Sequence, residues 1–444
     1  MRARLKLTLL VLAAMAPHLT AEPLSLPQAI ELARQNSPAI LESAAHMDAA
    51  AQARSEARNS RWPSLEFREV LVRTDSPADV FGLKLMQEKF SFPDFVRSDP
   101  NKPGPLSNFA TEFQASMPLF TGGKITAGIG QADSMAEAAT AVKTRTEEAV
   151  TFMVTSAYMD ALLADSFVDL ARKARDTTSK HVDQAQAYSD TGMIVESDLL
   201  QARVQLSKME ENLITAGNNA SLARAGLNRV MGIDQSRSFD LDDRLPDLPP
   251  PPMSMEEARR AALSGRNDVR AVAARVRAAE LGVNRSKGDF FPEVALVGKY
   301  SLNDDKLFGF NGKSYTVMAM AKWNLWNWGQ TQARVDRSRA EAAAAREAQR
   351  AFLQQVEFEA RQAWQAVGEA QARFAVASKA VESAEKALSI LEARFEQGVA
   401  KVTDLLDAET MLNDARVREL KARFDVQRAV RALDFATGAT APGA

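Results

Sequence analysis

The hydrophobic and polar positions of the chain follow a helical period over most of its length, and the pattern occurs twice. Two long helical stretches without a strong breaker run from 124 to 190 and from 330 to about 396. After a short turn, each continues into a return helix that ends near residue 230 or 436. Helical stretches at 24–60 and 253–287 open the two halves. At 1.5 Å per residue, each long helix would extend about 100 Å.

Four segments instead alternate between apolar and polar residues, as half-buried strands do. They cover 62–72, 108–120, 290–302 and 315–326, so each half contains two strands. Each strand has one consistently apolar face; in the second strand that face comprises Phe109, Thr111, Phe113, Ala115 and Met117. The segment from about Arg73 to Ser107 is rich in Pro and Gly and is predicted to be an exposed loop.

A repeated phrase relates the two halves. TGMIVESDLLQAR at 191–203 corresponds to QGVAKVTDLLDAE at 397–409, so that Gly192 matches Gly398 and Asp198 matches Asp404. Self-similarity at a fixed offset is typical of a duplicated architecture. Each half therefore has the order helix, strand, strand, long helix, turn and helix.

These boundaries predict five segments. Arg2, Arg4 and Lys6 precede a short apolar run, which indicates a secretory signal peptide over 1–21 rather than a retained anchor. The remaining four segments are a first structural repeat at 22–244, a proline-rich linker at 245–253, a second structural repeat at 254–437 and a flexible tail at 438–444.

The second long helix has an apolar seam that is typical of supercoiled helices. Its positions are spaced alternately three and four apart, which favours a left-handed supercoil. A return helix and the helix after the linker, placed end to end, would match one long helix. An ordinary coiled-coil rod would also explain the helices alone. The seam comprises Leu353, Val356, Ala360, Ala363, Val367, Ala370, Phe374, Ala377, Val381, Ala384, Leu388, Leu391 and Phe395.

The strands add a stronger constraint. Their length of about 10–13 residues suits a tilted transmembrane strand. Four strands cannot close a barrel, and an open sheet edge is not tolerated in lipid. If the strands lie in a membrane, several copies of the chain must therefore combine them. The alternative is a small soluble sheet that caps a coiled coil.

Composition argues against several other classes of protein. The net charge is −2, or −5 without the three basic residues of the predicted signal peptide, which is too small to suggest nucleic-acid binding. There is no Cys, and hence no disulfide or thiolate metal site. His46 and His181 have no second ligand at helical spacing and are predicted to be surface residues. No catalytic residues cluster, so we expect no enzyme, no cofactor and no bound metal.

Three tryptophans, Trp323, Trp326 and Trp328, follow one another at the end of the fourth strand. A sugar-binding platform is one interpretation. Because Trp is enriched where a transmembrane strand leaves the bilayer, a place at the membrane interface is the better interpretation.

The order and spacing of several motifs resemble those of the TolC-like outer-membrane efflux channel family. They are the strand starts at Pro63 and Pro292, the strand exits PLFTGGK (118–124) and NLWNWGQ (324–330), and the two Gly-containing turns. The resemblance implies a mainly α fold with a small β portion. Three copies would form a twelve-stranded transmembrane barrel and a long α-helical barrel of antiparallel coiled coils in the periplasm.

The resemblance also implies functional residues at the tip of the helical tunnel. Asp404 and Asp407 match an Asp-x-x-Asp that rings the narrowest point of the tunnel, and Asp198 is the equivalent of Asp404 in the first half. Helix capping by Thr403 or Asp404 is the alternative interpretation. The basic residue often found two positions after the turn glycine is replaced here by Ala400, with Lys401 beside it. The residues expected to touch an adaptor are Gly192, Met193, Gly398 and Val399.

The predicted function is a homotrimeric channel in the outer membrane of a Gram-negative bacterium that extends into the periplasm. It would be the exit duct of a tripartite efflux or type I secretion system. Its partners would be outer-membrane lipid, a periplasmic adaptor and an inner-membrane transporter, with no nucleic acid. The alternative is a periplasmic coiled-coil adaptor or scaffold without a pore.

Overall fold

The computed structural model describes residues 23–96, 99–242 and 253–439. The predicted signal peptide lies outside the described residues, as do residues 245–252 of the proline-rich linker and 440–444 of the tail. In the described part, the first half contains helices α1 to α6 and strands β1 and β2. The second half contains α7 to α10, β3 and β4.

The helices and strands have the following bounds. The helices are α1 Leu26–Asn36, α2 Pro38–Asn59, α3 Pro77–Met86, α4 Pro93–Val96, α5 Lys124–Asp190, α6 Glu196–Met231, α7 Met255–Gly265, α8 Asn267–Lys287, α9 Gln330–Glu396 and α10 Val402–Thr437. The strands are β1 Ser64–Thr74, β2 Leu106–Phe120, β3 Glu293–Asp304 and β4 Lys313–Lys322.

The long helices and their return helices agree with the sequence pattern. Helices α5 and α9 each contain 67 residues, about 100 Å of helix. Each forms an antiparallel hairpin with a return helix of 36 residues, α6 or α10. Every predicted seam position of α9 is buried or half-buried. Because many of these positions are alanine, α10 can approach α9 closely along the seam.

The sequence pattern suggested one continuous helical stretch at the start of each half. This prediction was wrong, because each stretch is divided into two helices. α1 and α2 are separated at Ser37, and α7 and α8 at Arg266, where both residues have extended backbone. Pro38 explains the first break, because the ring of a proline disfavours helical backbone at the residue before it. At the second break, the buried Arg266 guanidinium bonds to Asp268 and Glu359, which holds the backbone of this residue outside either helix.

The return helices end against these breaks. Gly232 follows α6 and Gly438 follows α10, and both have left-handed backbone. A Cβ atom on Gly232 would lie 2.4 Å from the carbonyl oxygen of Asn36, and one on Gly438 would lie 2.8 Å from the backbone nitrogen of Arg266. The helices that meet end to end therefore belong to the same half, and the expected pairing of a return helix with the helix after the linker was wrong.

The segment between β1 and β2 is not simply a loop. It contains α3 and α4, and Lys84 of α3 forms an ion pair with Asp94 of α4 at 2.8 Å. Pro77 and Pro93 each occupy the first position of a helix, where their missing N–H group has no helical partner to lose. Two of the five prolines in this segment are thus helix starts.

The four strands form one antiparallel sheet in the order β1-β2-β3-β4. Phe67, Phe113, Tyr300 and Tyr315 lie opposite one another in consecutive strands. This register places these four aromatic side chains on one face of the sheet. The other face carries Glu66, Gln114, Lys299 and Thr316 in a row, and Lys299 forms an ion pair with Glu112. The sheet therefore has an aromatic and aliphatic face and a polar face.

The fourth strand is shorter than predicted, because it ends at Lys322 rather than at residue 326. Its partner β3 begins at Glu293, directly opposite Lys322, so later residues have no strand to pair with. A 3-10 turn at Gly288–Phe290 and the missing N–H of Pro292 delay the start of β3.

No helix in the described ranges has both the length and the apolar character needed to cross a membrane.

We predict that Gly232→Ala destabilises the protein more than Gly123→Ala does. Both glycines have left-handed backbone, with φ values of 75° and 83°, so each alanine costs about 1–2 kcal/mol of conformational energy. Only the Cβ atom at residue 232 meets another backbone, whereas the space around Gly123 is open. Thermal unfolding of the two purified variants tests this, and equal losses would show that the contact with Asn36 is not rigid.

Candidate functional site

The turns of both hairpins meet in one apolar cluster at the end of the molecule farthest from the sheet. This tip cluster contains residues of all four long and return helices. Tyr188 and Phe395 pack with ring centroids 5.6 Å apart, which joins α5 to α9. The buried members of the cluster are Val182, Ala185, Leu199, Ala202, Phe395, Val402, Leu405 and Leu406.

The two turns have the same backbone geometry. Gly192 and Gly398 have φ values of 74° and 72°, a left-handed conformation that favours glycine. The next N–H groups, of Met193 and Val399, donate to carbonyl oxygens five residues earlier at 2.8 and 2.9 Å. This closes each helix with a left-handed cap. Met193 and Val399 are about two-thirds exposed, so each turn presents an apolar side chain to its surroundings.

Asp404 has a local role at the start of α10. The backbone N–H group of Lys401, the residue before the helix, donates to the Asp404 carboxylate at 3.4 Å. A carboxylate in the first turn also favours the positive end of the helix dipole. Of the two residues considered as caps, Asp404 makes this bond, and the Thr403 side chain forms no hydrogen bond in the described structure. Asp404 is nevertheless exposed.

Asp407 lies one turn further along the same exposed side of α10. Its side chain forms no ion pair or hydrogen bond with any residue that the structure describes, so helix capping does not account for it. Asp198 occupies the third position of α6, as Asp404 does in α10, and is half-buried. Whether these three carboxylates face a pore remains a prediction.

The residues beside the second turn divide between core and surface. Ala400 packs against the tip cluster. Lys401 is exposed, and within the described ranges it has no acidic partner within ion-pair distance. Lys401 thus lies at the tip with a free ammonium group.

A buried ion pair joins the two hairpins near the tip, and it was not predicted. His181 Nε2 on α5 lies 2.8 Å from Glu409 Oε1 on α10, with side chains 17% and 6% exposed. The expectation that both histidines lie on the surface is correct for His46, which is exposed beside Glu42. It is wrong for His181. The partner of His181 lies on another helix, far away in the sequence, so the residues around His181 give no signal for the ion pair.

The surroundings of His181 favour its charged form. The close contact with the Glu409 carboxylate raises the pKa of the imidazole above its ordinary value of 6.5, although burial acts in the opposite direction. The charges of Glu409 and of Glu392 on α9 raise the pKa of His181 as well, and Gln184 assists from the next turn of α5.

The three tryptophans lie where the sheet passes into α9. The Trp323 indole N–H group donates to the carbonyl oxygen of Phe290 at 3.0 Å. Trp326 and Trp328 pack edge to face with centroids 5.8 Å apart, and they are 74% and 89% exposed. These side chains therefore form an exposed aromatic group at the end of the sheet from which the helices leave.

Trp328 adopts a backbone conformation that is rare for a bulky residue. Its φ is 53°, and its counterpart in the first half is Gly122, with a φ of 61°. A Cβ atom on Gly122 would lie 2.4 Å from the carbonyl oxygen of Gly288, whereas the Trp328 side chain has open space. The duplicated turn thus requires glycine in one half and tolerates a strained tryptophan in the other.

Ion pairs also stabilise the junction between the sheet and the long helices. Lys124, at the start of α5, forms ion pairs with Asp289 and Glu293, and Arg334 of α9 forms one with Asp289. These contacts connect the beginnings of both long helices to the beginning of β3.

Within the described parts of the chain, no three His, Cys, Asp or Glu side chains converge in a way that could hold a metal ion.

Comparison with known proteins agrees with this architecture. Residues 29–233 and 258–439 match the family described as outer membrane efflux protein. The outer membrane protein TolC of Vibrio cholerae is 22% identical over 421 residues, which cover 91% of this chain and 89% of TolC. The alkaline protease secretion protein AprF of Pseudomonas aeruginosa is 23% identical over 64% of this chain and 60% of its own length.

Solved structures show the same fold. The outer-membrane channel OprN superposes with a TM-score of 0.78 at 19% identity, covering 94% of this chain and 90% of OprN. The predicted fold class, mainly α with a small β portion, is confirmed.

We predict that Trp328 lies at the membrane interface, where lipids brominated near the headgroup would quench its fluorescence. In reconstituted vesicles, Trp328→Gly should lower the quenchable fraction of the emission from the five tryptophans. It should also relieve the backbone strain, by about 1–2 kcal/mol.

Trp364→Phe is the matched control for this measurement. Trp364 lies on α9 about 50 Å from the sheet end of the helix, so its removal should raise the quenchable fraction. Equal quenching of Trp364, or no change with Trp328→Gly, would contradict the interface assignment.

Proposed function

The chain belongs to the outer membrane efflux protein family and is an outer-membrane exit channel that extends into the periplasm; we propose that it works as a homotrimer. It serves as the exit duct of a tripartite efflux or secretion system. The alternative of an adaptor without a pore does not agree with this family. The proposal concerns how copies assemble, where the duct narrows and what touches its tip.

The observation that carries the trimer proposal is the sheet with two free edges. β1 and β4 are the outer strands, and all ten residues of β4 are exposed in a single copy. In a bilayer, unpaired N–H and C=O groups cost several kcal/mol each, so the edges must find partners. Pairing β4 of one copy with β1 of the next satisfies both edges, and three copies give the twelve strands of the predicted barrel.

The two faces of the sheet support the same assembly. The face with Phe67, Phe113, Tyr300 and Tyr315 suits lipid, and the face with Glu66, Gln114, Lys299 and Thr316 suits a water-filled interior. The helices leave the sheet at one end, which we assign to the periplasm. The segment with α3 and α4 lies at the other end and is therefore assigned to the cell surface.

We place the constriction of the duct at the tip. Three copies would bring together six carboxylates from Asp404 and Asp407, with Asp198 of each copy nearby. Asp407 supports this role best, because it is exposed and has no local partner in the described structure. Like charges in a narrow ring repel one another and attract cations. The apolar ends of the turns, at Met193 and Val399, are the proposed contacts for a periplasmic adaptor, together with Gly192 and Gly398.

In the proposed system the channel itself has a passive role. The described helices form a passive wall about 100 Å long, so the energy must come from an inner-membrane transporter. The adaptor would connect that transporter to the tip and move the hairpins. The two predicted repeats, 22–244 and 254–437, would each supply one hairpin and two strands.

Planar bilayers containing the mature protein test the channel and its constriction together. The wild-type protein, extracted in detergent as a trimer, should give discrete conductance steps that a trivalent cation blocks from the tip side. Asp404→Ala/Asp407→Ala should weaken the block by at least about tenfold, or about 1.4 kcal/mol. A water-soluble monomer without conductance would contradict the channel.

Single variants separate the pore role from the helix-start role. Asp407→Asn should weaken the block without lowering the melting temperature, because the Asp407 side chain forms no ion pair or hydrogen bond in the described structure. Asp404→Ala should affect both quantities, because it removes the side-chain acceptor of the bond from the Lys401 N–H group. Glu347→Gln, an exposed change on α9, is the charge control. If block is unchanged and stability falls in every tip variant, the acids are helix-start residues only.

A further inference from the structure

His181 and Glu409 join the two hairpins at a level where the other contacts between the hairpins are uncharged. His181 lies nine residues before the end of α5, and Glu409 lies seven residues after the start of α10. Each side chain is therefore about 10–14 Å from the turn of its own hairpin. Their neighbours on the same faces, Ala185 and Leu412, are buried.

The pair is isolated from other charged links. The next ion pair between α5 and α10 joins Asp160 to Arg428, about 30 Å from His181 along α5. Between residue 160 and the turn, the described part of α5 forms no other ion pair with the second hairpin. The nearest polar contact between hairpins is neutral, from Gln205 of α6 to Thr410 at 3.0 Å. The His181–Glu409 contact is thus the charged link nearest to the tip.

Glu409 depends on the charge of His181. Both carboxylate oxygens of Glu409 are buried, and neither accepts an aligned hydrogen bond in the described structure. A buried carboxylate with no countercharge is strongly unfavourable. Glu392 on α9 adds a second negative charge near the imidazole, so it favours protonated His181 rather than competing for it. The groups that act on His181 from α9 and α10 are therefore both acidic.

The direction of the pH effect follows from this arrangement. The pKa of His181 is raised in the folded protein, so the charged pair stabilises the contact fully below the ordinary value of 6.5. As pH rises through the raised pKa, His181 becomes neutral and Glu409 loses its countercharge. The interface between the hairpins is then less stable, while the apolar tip cluster is unchanged.

We propose that His181 and Glu409 form a pH-dependent fastener between the two helical hairpins, which holds the tip closed in acid and loosens it as pH rises. This inference rests on the proposed function, because opening the duct requires the two hairpins to move apart at the tip. The fastener acts on the surface that must separate. The pH would then influence the tip in addition to its contact with an adaptor.

Single-channel recordings across the range from about pH 5.5 to 8.5, on either side of the ordinary histidine pKa, test the fastener. The wild-type open fraction should rise severalfold with pH. His181→Gln should give a high open fraction with no step, and Glu409→Gln should move the step to lower pH or abolish it. His46→Gln removes the exposed histidine on α2 and should keep the wild-type step.

A second measurement does not depend on conductance. The melting temperature of His181→Gln should lie below that of the wild type in acid and equal it above the pKa of His181. A His181→Gln variant that keeps the wild-type pH step, or that has the same melting deficit at every pH, would overturn the fastener. Absence of conductance in every protein, including the wild type, would instead overturn the proposed channel, and the melting comparison would still decide the fastener.

Discussion

The unpaired backbone along β1 and β4 is the constraint on which the rest of the architecture depends. A sheet with one aromatic face and one polar face can be covered by lipid on the first and water on the second, but its two edges cannot be left open in a bilayer. In the proposed trimer, pairing these edges between copies closes the sheet into a barrel. It also constrains the helices, because α5 and α9 continue from β2 and β4 and would be arranged around the same axis, with α8 and α10 packed against both of them.

The duplicated helices extend this symmetry to the tip. Glycines in corresponding positions of the two halves, such as Gly192 and Gly398, have left-handed backbone and close the hairpins in the same way. The halves differ where function is proposed. Asp407 replaces Gln201, Trp328 stands where the first half has Gly122, and Glu409 pairs with His181 across the hairpins. The two halves therefore share a backbone fold but carry different side chains at corresponding positions.

The periodic features of the chain were predictable from sequence, and the features that depend on contacts between distant segments were not. Both ends of α5 and of α9 agree with the pattern, since each begins after a glycine and ends before a Gly-containing turn. The break at Ser37 had a local signal in Pro38, but the break at Arg266 is set by ion pairs with Asp268 and Glu359. The end of β4 depends on where β3 begins. The role of His181 depends on Glu409, more than two hundred residues away, so no local pattern could indicate it.

Disulfide cross-linking of the sheet edges tests the trimeric barrel most directly, because the chain contains no Cys. Glu66→Cys on β1 would be combined in turn with Ser314→Cys, Thr316→Cys or Met318→Cys on β4, all on the polar face. Gln114→Cys with Lys299→Cys, which lie opposite each other within one copy, is the control and should remain a monomer on a denaturing gel. At least one edge pair should give covalent trimers and nothing larger. If no edge pair cross-links, or if the products form an open series beyond the trimer, the closed three-copy barrel is wrong.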